Sequence, residues 1–435
     1  MKDRYGNSYA AGLPYARGTL VTSTEDDFIK LQHAWEIIRE KYAQGGRTAV
    51  FNFTGLERGL PSVIQEPELM DDDLSPALTG GRVTQLALEH MGGNPAEHDA
   101  IILNRLTAGI LVANLIMVKA GDTVIGVSAG YSHPAVTRAV AHCGAKFVDT
   151  VGLESFARTI EAIPSVSLVI LTRLAVTYDI LPTNELTEIV RLSREKGARV
   201  LVDDAGGARV GPAIFKQPRT MELGVDVGVT GLDKYGTIGP RLGVLVGKTE
   251  LVSKMRARAY ELGIEGRQML YPAVVRSLEG YRPERVRSLV NCTKEVGREL
   301  RHQLGDWVQE TPVIVRLQGE DILDTIMKNA GLSKPPMVPY EATAALAMLL
   351  LQDYGVMTVH FAGMPPGTSA LLLKFIPPET LERFGGARAL AKAVSDSVDK
   401  LAGILRQKRD LRTLLFGERI YPEMNQADRR VTVGD

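Results

Sequence analysis

The sequence predicts an α/β protein with a mostly parallel central sheet and a second, smaller α+β domain towards the carboxyl end. Between about residues 80 and 250, short β-branched runs alternate with helical patterns, which is typical of βαβ units. Polar or glycine-rich turns follow several of these runs, as happens where strands of an open α/β sheet end. After Pro283 the pattern changes to longer helices separated by isolated strands.

The individual elements follow from these patterns in chain order. A helix with proline in its first turn is predicted over residues 134–143, between strands over residues 122–127 and 145–149. Continuous apolar runs, suited to strands covered on both faces, predict further strands over residues 167–171, 199–202, 225–229 and 242–246. In the last third, a long charged amphipathic helix is followed by a strand over residues 312–317, a helix over residues 342–352, and strands near Val356 and Leu371.

These elements suggest three segments. Residues 1–60 are expected to form an N-terminal arm and part of the small domain, residues 61–283 the large domain, and residues 284–435 the small C-terminal domain. The first segment carries Tyr5, Tyr9 and Tyr15 among scattered glycines. Because it lacks a strong apolar periodicity, it is not expected to pack as an independent unit.

Composition limits the classes of function and the compartment. Lys plus Arg equals Asp plus Glu at 51 each, so no overall positive field favours tRNA or an anionic membrane. The only cysteines, Cys143 and Cys292, cannot build a disulfide framework, and no apolar signal segment follows the first residues. The most apolar region, residues 100–118, is interrupted by polar residues and predicts no membrane span. We therefore expect a cytoplasmic protein.

The most informative segment is the apolar strand that ends in Asp203 and Asp204 before a glycine-rich turn. A carboxylate at this end of a strand can hold the pyridine nitrogen of pyridoxal 5'-phosphate (PLP) protonated, so that the ring acts as an electron sink. Asp203 is the preferred candidate. Adjacent strand residues point to opposite faces, so at most one of the two can make this contact. An aspartate that merely caps a turn is the alternative.

Lys234 stands on a second glycine-rich loop, after the strand predicted over residues 225–229. Burial can lower the pKa of such a lysine, and its neutral amine then attacks an aldehyde to form a Schiff base. Most lysines are only solvated surface residues. Asp203 and Lys234 both follow strands, however, and should face the same edge of the sheet. Thr230, just upstream of the lysine, is a further cofactor-binding candidate.

Two weaker segments could complete a cofactor site. Asn104, Arg105 and Thr107 precede or begin a helix, where free N–H groups, a hydroxyl and a guanidinium suit a phosphate. A simple helix cap made by Asn104 would explain the same pattern. His133 follows another strand and could stack on the pyridine ring, although an isolated histidine is more often structural.

Together these segments resemble the bacterial selenocysteine synthase (seryl-tRNA selenium transferase) group, in particular its shorter archaeal-type relatives. The similarity spans roughly residues 80–285. It rests on Leu-Asn-Arg-Leu-Thr-Ala (103–108), Ser-His-Pro-Ala-Val (132–136), Val-Asp-Asp-Ala-Gly-Gly-Ala-Arg-Val (202–210) and Leu-Asp-Lys-Tyr-Gly-Thr-Ile-Gly-Pro-Arg-Leu-Gly-Val (232–244).

The resemblance implies a PLP-dependent transferase of fold type I, the aspartate-aminotransferase-like fold, with a seven-stranded-type sheet in a large PLP-binding domain. It places the Schiff base at Lys234, the pyridine contact at Asp203 and the stacking ring at His133. It also implies a homodimer or larger even-numbered assembly, in which neighbouring subunits complete each active site. Arg173 departs from the resemblance, at a position near one that is often glycine or serine, and would then mark a different substrate.

Several reactions are open to such an enzyme. The resemblance favours Cβ elimination or replacement on a small amino-acid substrate, catalysed by a lyase or transferase, and an aminotransferase is the alternative. A tRNA substrate is disfavoured by the balanced charge. Anionic substrate groups could bind basic side chains, each of which could instead form a structural ion pair. The candidates are Arg173, Arg209, Arg241, Arg267 and Lys374.

Other classes of protein explain less of the sequence. The segment Gly-Val-Ser-Ala-Gly (126–130) matches a nucleophile elbow, which would make Ser128 a hydrolase nucleophile with His302 or His360. Several loop residues, however, separate Ser128 from the next predicted helix. Histidines and cysteines show no metal-ligand spacing, and the glycine-rich segments match no nucleotide-binding motif. A non-catalytic PLP-binding regulator stays open, although no DNA-binding motif accompanies the fold.

Overall fold

The computed structural model describes residues 1–60, 69–361, 364–406 and 411–417, which fold as two compact units. We call Gly55–Asn291 with Thr311–Val313 the sheet unit, and the remaining described residues the small unit. The strands are β1 (Phe51–Asn52), β2 (His98–Leu103), β3 (Thr123–Ser128), β4 (Lys146–Val151), β5 (Leu168–Thr172), β6 (Arg199–Asp203), β7 (Val227–Gly231), β8 (Gly243–Lys248), β9 (Gln309–Glu310), β10 (Ile314–Leu317), β11 (Val356–Met357) and β12 (Leu371–Lys374).

The helices carry the rest of the regular structure. They are α1 (Thr24–Gly45), α2 (Leu74–Met91), α3 (Leu106–Met117), α4 (Pro134–His142), α5 (Gly152–Ala162), α6 (Thr183–Glu195), α7 (Gly207–Phe215), α8 (Thr249–Leu262), α9 (Tyr271–Glu279), α10 (Pro283–Leu304), α11 (Gly319–Ala330), α12 (Pro339–Tyr354), α13 (Pro378–Phe384), α14 (Ala387–Arg406) and α15 (Leu411–Phe416). Within the described ranges, none of these helices combines the length and the apolar composition needed to cross a membrane.

The sheet unit is a three-layer α/β structure. Its seven strands lie in the order β2-β8-β7-β6-β5-β3-β4. The strands from β7 to β4 pair in parallel, whereas β8 is antiparallel to both β7 and β2. The predicted α/β class with a mostly parallel sheet is therefore confirmed.

Alternate residues of the strands enter two separate cores because successive side chains point to opposite faces. In β5, for example, Val169 and Leu171 pack in the core shared with α2, α5, α6, α7 and α9. Leu168 and Ile170 pack in the core shared with α3, α4 and α8. Since every residue of β5 is buried, the strand is a continuous apolar run, as the sequence suggested.

Strand β2 was not predicted separately. It runs directly into α3, and together they form the apolar region of residues 100–118. Only Asn104 and Arg105 separate the two elements, and a short apolar run does not distinguish a strand from a buried helix by periodicity.

The small unit has one hydrophobic core, to which α1, α11, α12 and α14 contribute. It contains the antiparallel sheet β12-β10-β9 and the parallel pair β1-β11. Leu371 and Leu373 of β12 and Leu317 of β10 belong to this core. Helix α12 is buried along most of its length, in agreement with its apolar sequence.

The first 60 residues contain a helix that the sequence analysis did not predict. Residues 24–45 form α1, which begins with a capping box: Ser23 Oγ accepts the Asp26 N–H, and the Asp26 carboxylate accepts the Ser23 N–H. The buried face of α1 includes Asp27 and Lys30 as well as apolar residues. A search for apolar periodicity misses a helix whose buried face carries paired charges.

Candidate active site at the carboxyl edge of the sheet

The carboxyl ends of β2, β3, β6 and β7 lie at one edge of the sheet. Strand β2 has the same direction as β7 because β8 is antiparallel to both, and β3, β5, β6 and β7 are parallel. Asp203 ends β6, while Arg105, His133 and Lys234 follow β2, β3 and β7. This is the edge at which open α/β sheets bind ligands.

Lys234 lies on a loop that is held by the segment around Glu57. Leu56 forms a backbone bridge with Lys234, and Glu57 Oε2 accepts the Gly236 N–H at 3.2 Å. Lys234 Nζ lies 3.3 Å from Asp233 Oδ1, and the lysine side chain is about 20% exposed. Burial lowers the pKa of Lys234, although the Asp233 carboxylate acts in the opposite direction. A lower pKa increases the fraction of neutral amine, which is the nucleophilic form.

Asp203 presents a buried carboxylate with unused acceptor capacity. The residue is 3% exposed, and its Oδ1 has no hydrogen-bond partner among the described residues. Burial, followed by the negative charge of Asp204, raises the pKa of Asp203 to about 7, whereas Lys234 acts in the lowering direction. A buried acceptor without a partner is costly unless a ligand supplies an N–H donor. The protonated pyridine nitrogen of PLP would be such a donor, so the residues present fit this cofactor.

Asp204 is fully buried, and one of its two carboxylate oxygens, Oδ2, is engaged within the protein, whereas Oδ1 has no hydrogen-bond partner among the described residues. Its Oδ2 accepts hydrogen bonds from Arg173 Nη2 and, at 2.6 Å, from Thr220 Oγ1. Arg173 is also fully buried, and its Nη1 donates to the Pro218 carbonyl at 2.6 Å. The expectation that Arg173 binds substrate therefore finds no support, because its guanidinium pairs inside the protein and has no exposed surface.

Arginine side chains bring positive charge to the loop. Arg58 Nε lies 3.2 Å from Asp233 Oδ2. Arg105 approaches from the start of α3, where a Cβ on Gly243 would lie 2.7 Å from the Arg105 carbonyl. Partial desolvation, together with the charge of Arg58, lowers the pKa of both Arg105 and Arg241, that of Arg241 to about 10. The positive charge of Arg58 thus acts on both guanidinium groups, and positive charge of this kind suits a phosphate.

The start of α3 adds a second feature that suits an anion. Arg105, not Asn104, is the N-cap residue, and no side chain caps the first turn. The simple cap by Asn104 was therefore not the explanation of this sequence. Asn104, Arg105 and Thr107 are all exposed. Uncapped N–H groups at the positive end of a helix attract anions.

His133 is the N-cap of α4, and its Nδ1 accepts the Ala135 N–H at 3.0 Å. It is half-buried and lies at the same edge of the sheet as Asp203. Strand β5 separates β3 from β6, which places the two residues on strands that are next but one to each other. A structural role as a cap is thus established for His133, and stacking on a cofactor stays a prediction.

The remaining candidates have different surroundings. Thr230 and Arg209 are both fully buried, and Arg209 Nη1 donates to Thr230 Oγ1 at 2.9 Å. Burial lowers the pKa of Arg209 to about 10. Arg267 is exposed and pairs with Asp72. Lys374 is buried in β12 of the small unit.

Other residues that the sequence did not single out surround Lys234. Arg58 and Asp233 form an ion pair beside it, and Glu57 pairs with Arg285 at 2.5 Å. Asp233 could have been noticed from its position next to the lysine. Arg58 gave no signal, because its segment meets the loop only in the folded chain.

A pair of tyrosines also belongs to these surroundings. The hydroxyls of Tyr178 and Tyr235 lie 2.7 Å apart in a buried position. Both residues have positive φ angles, 65° and 31°, which non-glycine residues rarely adopt. Such a conformation directly after Lys234 needs the surrounding structure to hold it.

The structure does not provide the nucleophile elbow of a serine hydrolase. Ser128 is fully buried at the end of β3, and its Oγ accepts the Gly130 N–H at 3.2 Å. Helix α4 begins only at Pro134. An elbow instead exposes its serine at the turn that enters the helix.

Proteins with similar sequences support pyridoxal phosphate as the cofactor. The chain is 30% identical over 387 residues to a UPF0425 pyridoxal phosphate-dependent protein from Methanothermobacter thermautotrophicus, covering 89% of this chain and 97% of that protein. It is 26% identical to a protein of the same name from Methanosphaera stadtmanae, with coverage of 88% and 96%. No family model matches the sequence.

A solved structure identifies the fold. Pyridoxamine-pyruvate aminotransferase from Mesorhizobium loti superposes with a TM-score of 0.55 at 16% identity, covering 82% of this chain and 97% of that chain. At this identity the likeness shows only the fold, and it confirms the predicted fold type I. By its similarity over nearly the whole length of the Methanothermobacter relative, the chain belongs to the family of UPF0425 pyridoxal phosphate-dependent proteins.

Proposed function

We propose that this protein is a PLP-dependent enzyme that acts on a small amino acid, with Lys234 as the residue that binds the cofactor covalently. The observation that carries this proposal is the pairing of two complementary groups at one sheet edge. Asp203 Oδ1 is a buried acceptor without a partner in the part of the chain that the structure describes, and Lys234 offers an amine with a lowered pKa. Membership of a family named for pyridoxal phosphate supports the same cofactor.

The described residues suggest how the cofactor would be held. Asp203 would bind the pyridine nitrogen, and the first turn of α3 with Arg105 and Thr107 would bind the phosphate. When bound, the cofactor supplies an aldehyde for covalent attachment and a protonated ring that withdraws electrons from the substrate. Asp233, paired with Arg58 and Lys234, would orient the lysine amine. Lys234 Nζ would then be the group that accepts and returns a proton of the substrate.

For the reaction, we favour Cβ elimination or replacement over amino transfer. Support comes from the motifs of residues 103–108, 202–210 and 232–244, which resemble those of selenocysteine synthases. The aminotransferase fold of the Mesorhizobium enzyme carries no weight for the reaction, because one fold hosts many chemistries. A small substrate is preferred to tRNA because the chain has no net positive charge.

Borohydride reduction tests the assignment of Lys234. Purified protein supplied with PLP should acquire a visible absorption band, and reduction should leave a stable cofactor adduct on the peptide that contains Lys234. Lys234→Ala should lose the adduct, whereas Lys254→Ala, at an exposed position of α8, should keep it. A reduced adduct that maps to another lysine would overturn the assignment.

A panel of amino acids separates the two reactions. Elimination should release ammonia and a keto acid from one substrate without any acceptor, whereas amino transfer requires an added keto acid. Activity that depends on the acceptor would favour the aminotransferase and count against elimination.

A further inference from the structure

Arg173 is a buried charged residue that is not among the proposed cofactor contacts. It follows β5 and is completely buried. Its guanidinium donates hydrogen bonds to the Pro218 carbonyl at 2.6 Å and to Thr220 Oγ1 at 3.3 Å. It also forms an ion pair with Asp204. An arginine pays a large desolvation cost when buried, so such a position is maintained only where its charge is compensated.

Glycines of α7 provide the space for this side chain. A Cβ on Gly207 would lie 2.9 Å from Arg173 Cβ and 2.2 Å from Asp204 Oδ1. A Cβ on Gly211 would lie 2.9 Å from Arg173 Nη1. The close passage of the Arg173–Asp204 pair along the helix therefore explains why residues 207 and 211 are glycines.

The pair lies directly beside Asp203. The charged groups that act on Asp203 are Asp204, its neighbour in the chain, and Lys234 from the loop after β7. Those that act on Asp204 are Arg173 from the end of β5 and Arg209 from α7. Without Arg173, two adjacent buried carboxylates would compete for ionisation, because like charges so close disfavour the second one.

We infer that Arg173, assisted by Thr220, is a positioning residue that compensates the charge of Asp204 so that Asp203 stays ionised and available to a protonated ring nitrogen. This inference rests on the proposed function, since it assigns Asp203 to the cofactor. Arg173 then acts through Asp204 and does not touch the substrate. Arg173 thus tunes the cofactor-binding carboxylate instead of selecting a substrate.

The test measures the dissociation constant of PLP as a function of pH for Arg173→Met, Asp204→Asn and the double variant. In Arg173→Met the uncompensated Asp204 charge should raise the pH below which affinity is lost. In Asp204→Asn the uncompensated arginine should lower it. Each shift should be about one pH unit or more. The midpoint of the double variant should lie between those of the two single variants. The titration of PLP itself does not affect this comparison, because it is common to all variants.

Two further variants serve as a substitute for Arg173→Met and as a control. Thr220→Val removes the 2.6 Å hydrogen bond to Asp204 and the longer contact from Arg173, and leaves the ion pair between Arg173 and Asp204 in place. It should shift the midpoint in the same direction as Arg173→Met but by less, and it replaces Arg173→Met if that variant does not fold. Arg158→Met removes an exposed arginine of α5 and should leave the midpoint unchanged. A purely structural role for Arg173 would weaken binding in every variant without moving the midpoints apart, and that result would overturn the inference. Failure of the wild-type protein to bind PLP would instead overturn the proposed function.

Discussion

Asp203 and Asp204 are neighbours in the chain but have different environments. Asp204 pairs with Arg173 and accepts a hydrogen bond from Thr220, whereas Asp203 forms no salt bridge with the described residues. The Oδ1 atom of each carboxylate is buried without a hydrogen-bond partner among these residues. Leaving a buried acceptor unsatisfied costs about 1–3 kcal/mol. Proteins retain such costs at functional sites, where a bound ligand offsets them.

This difference predicts opposite effects of the two asparagine substitutions on the cofactor-free protein. The pKa of Asp203 is about 7 in the folded protein against an ordinary value of 3.8. The folded state therefore binds the proton more tightly, and the contribution of Asp203 to stability is present below about pH 4 and is lost as the pH rises through about 7. Asp203→Asn should accordingly stabilise the protein by a few kcal/mol at about pH 8, and by much less at about pH 5.

Urea unfolding at the two pH values measures this effect. Asp204→Asn serves as the comparison, because it leaves the buried Arg173 without its carboxylate and should destabilise the protein by about 3–5 kcal/mol. Equal stabilities of the two variants at both pH values would show that Asp203 is not the strained carboxylate. With cofactor added, Asp203→Asn should lose more activity than Asp204→Asn.

Helix α7 shows how a local element depends on a distant side chain. Glycine inside a helix is usually replaced by alanine with a gain of about 0.5–1 kcal/mol. At Gly211 the new Cβ would lie 2.9 Å from both Arg173 Nη1 and Gln217 Oε1. Since Arg173 Nη1 is already bound to the Pro218 carbonyl, it cannot move without losing that bond.

We therefore predict that Gly211→Ala destabilises the protein by about 1–3 kcal/mol, as overpacking does. Gly80→Ala in α2 is the matched control, because nothing lies within 4 Å of its Cβ position, and it should be stabilising. Denaturant midpoints of the two variants give the answer. If both substitutions are stabilising, Arg173 does not occupy the space along α7.

Among the individual elements, the strands of the central sheet were easier to predict from the sequence than helix α1. Those of the central sheet are covered on both faces, so their apolar runs stand out in the sequence. Helix α1 was missed because Asp27 and Lys30 occupy its buried face, where they pair with each other and with Tyr340. The Ser23–Asp26 capping box is the local signal that could have found it.

For the whole molecule we expect a homodimer or larger even-numbered assembly, and α1 offers a surface for it. Phe28, Trp35 and Tyr42 recur every seven residues along α1 and are 45%, 52% and 60% exposed. The acidic first turn, with Glu25, and the basic Arg47 beyond the other end would be complementary if two copies of α1 packed antiparallel.

Light scattering should therefore give an even multiple of the 47.3 kDa chain mass. Trp35→Glu should lower this mass because it places a charge in the apolar stripe. Leu78→Glu, at an exposed apolar position of α2 in the sheet unit, is the control and should leave the mass unchanged. A wild-type protein that is monomeric and fully active would refute both the assembly and its role in the site.

By itself the sequence determined the fold class, the cofactor of the family and the loops that carry Asp203 and Lys234. These features depend on local information: apolar runs with a fixed period, and short motifs that directly follow strands. A residue at the end of a parallel strand is placed at the carboxyl edge by topology alone.

Only the tertiary structure decided which charges meet. Asp203 and Asp204 are neighbours in the sequence, and their difference arises because Arg173, 31 positions earlier, pairs with Asp204 from the end of the neighbouring strand β5. Arg58 reaches Asp233 over 175 positions for the same reason. Electrostatic interactions depend on distance and burial in the folded chain, and neither quantity is encoded in the local pattern of residues.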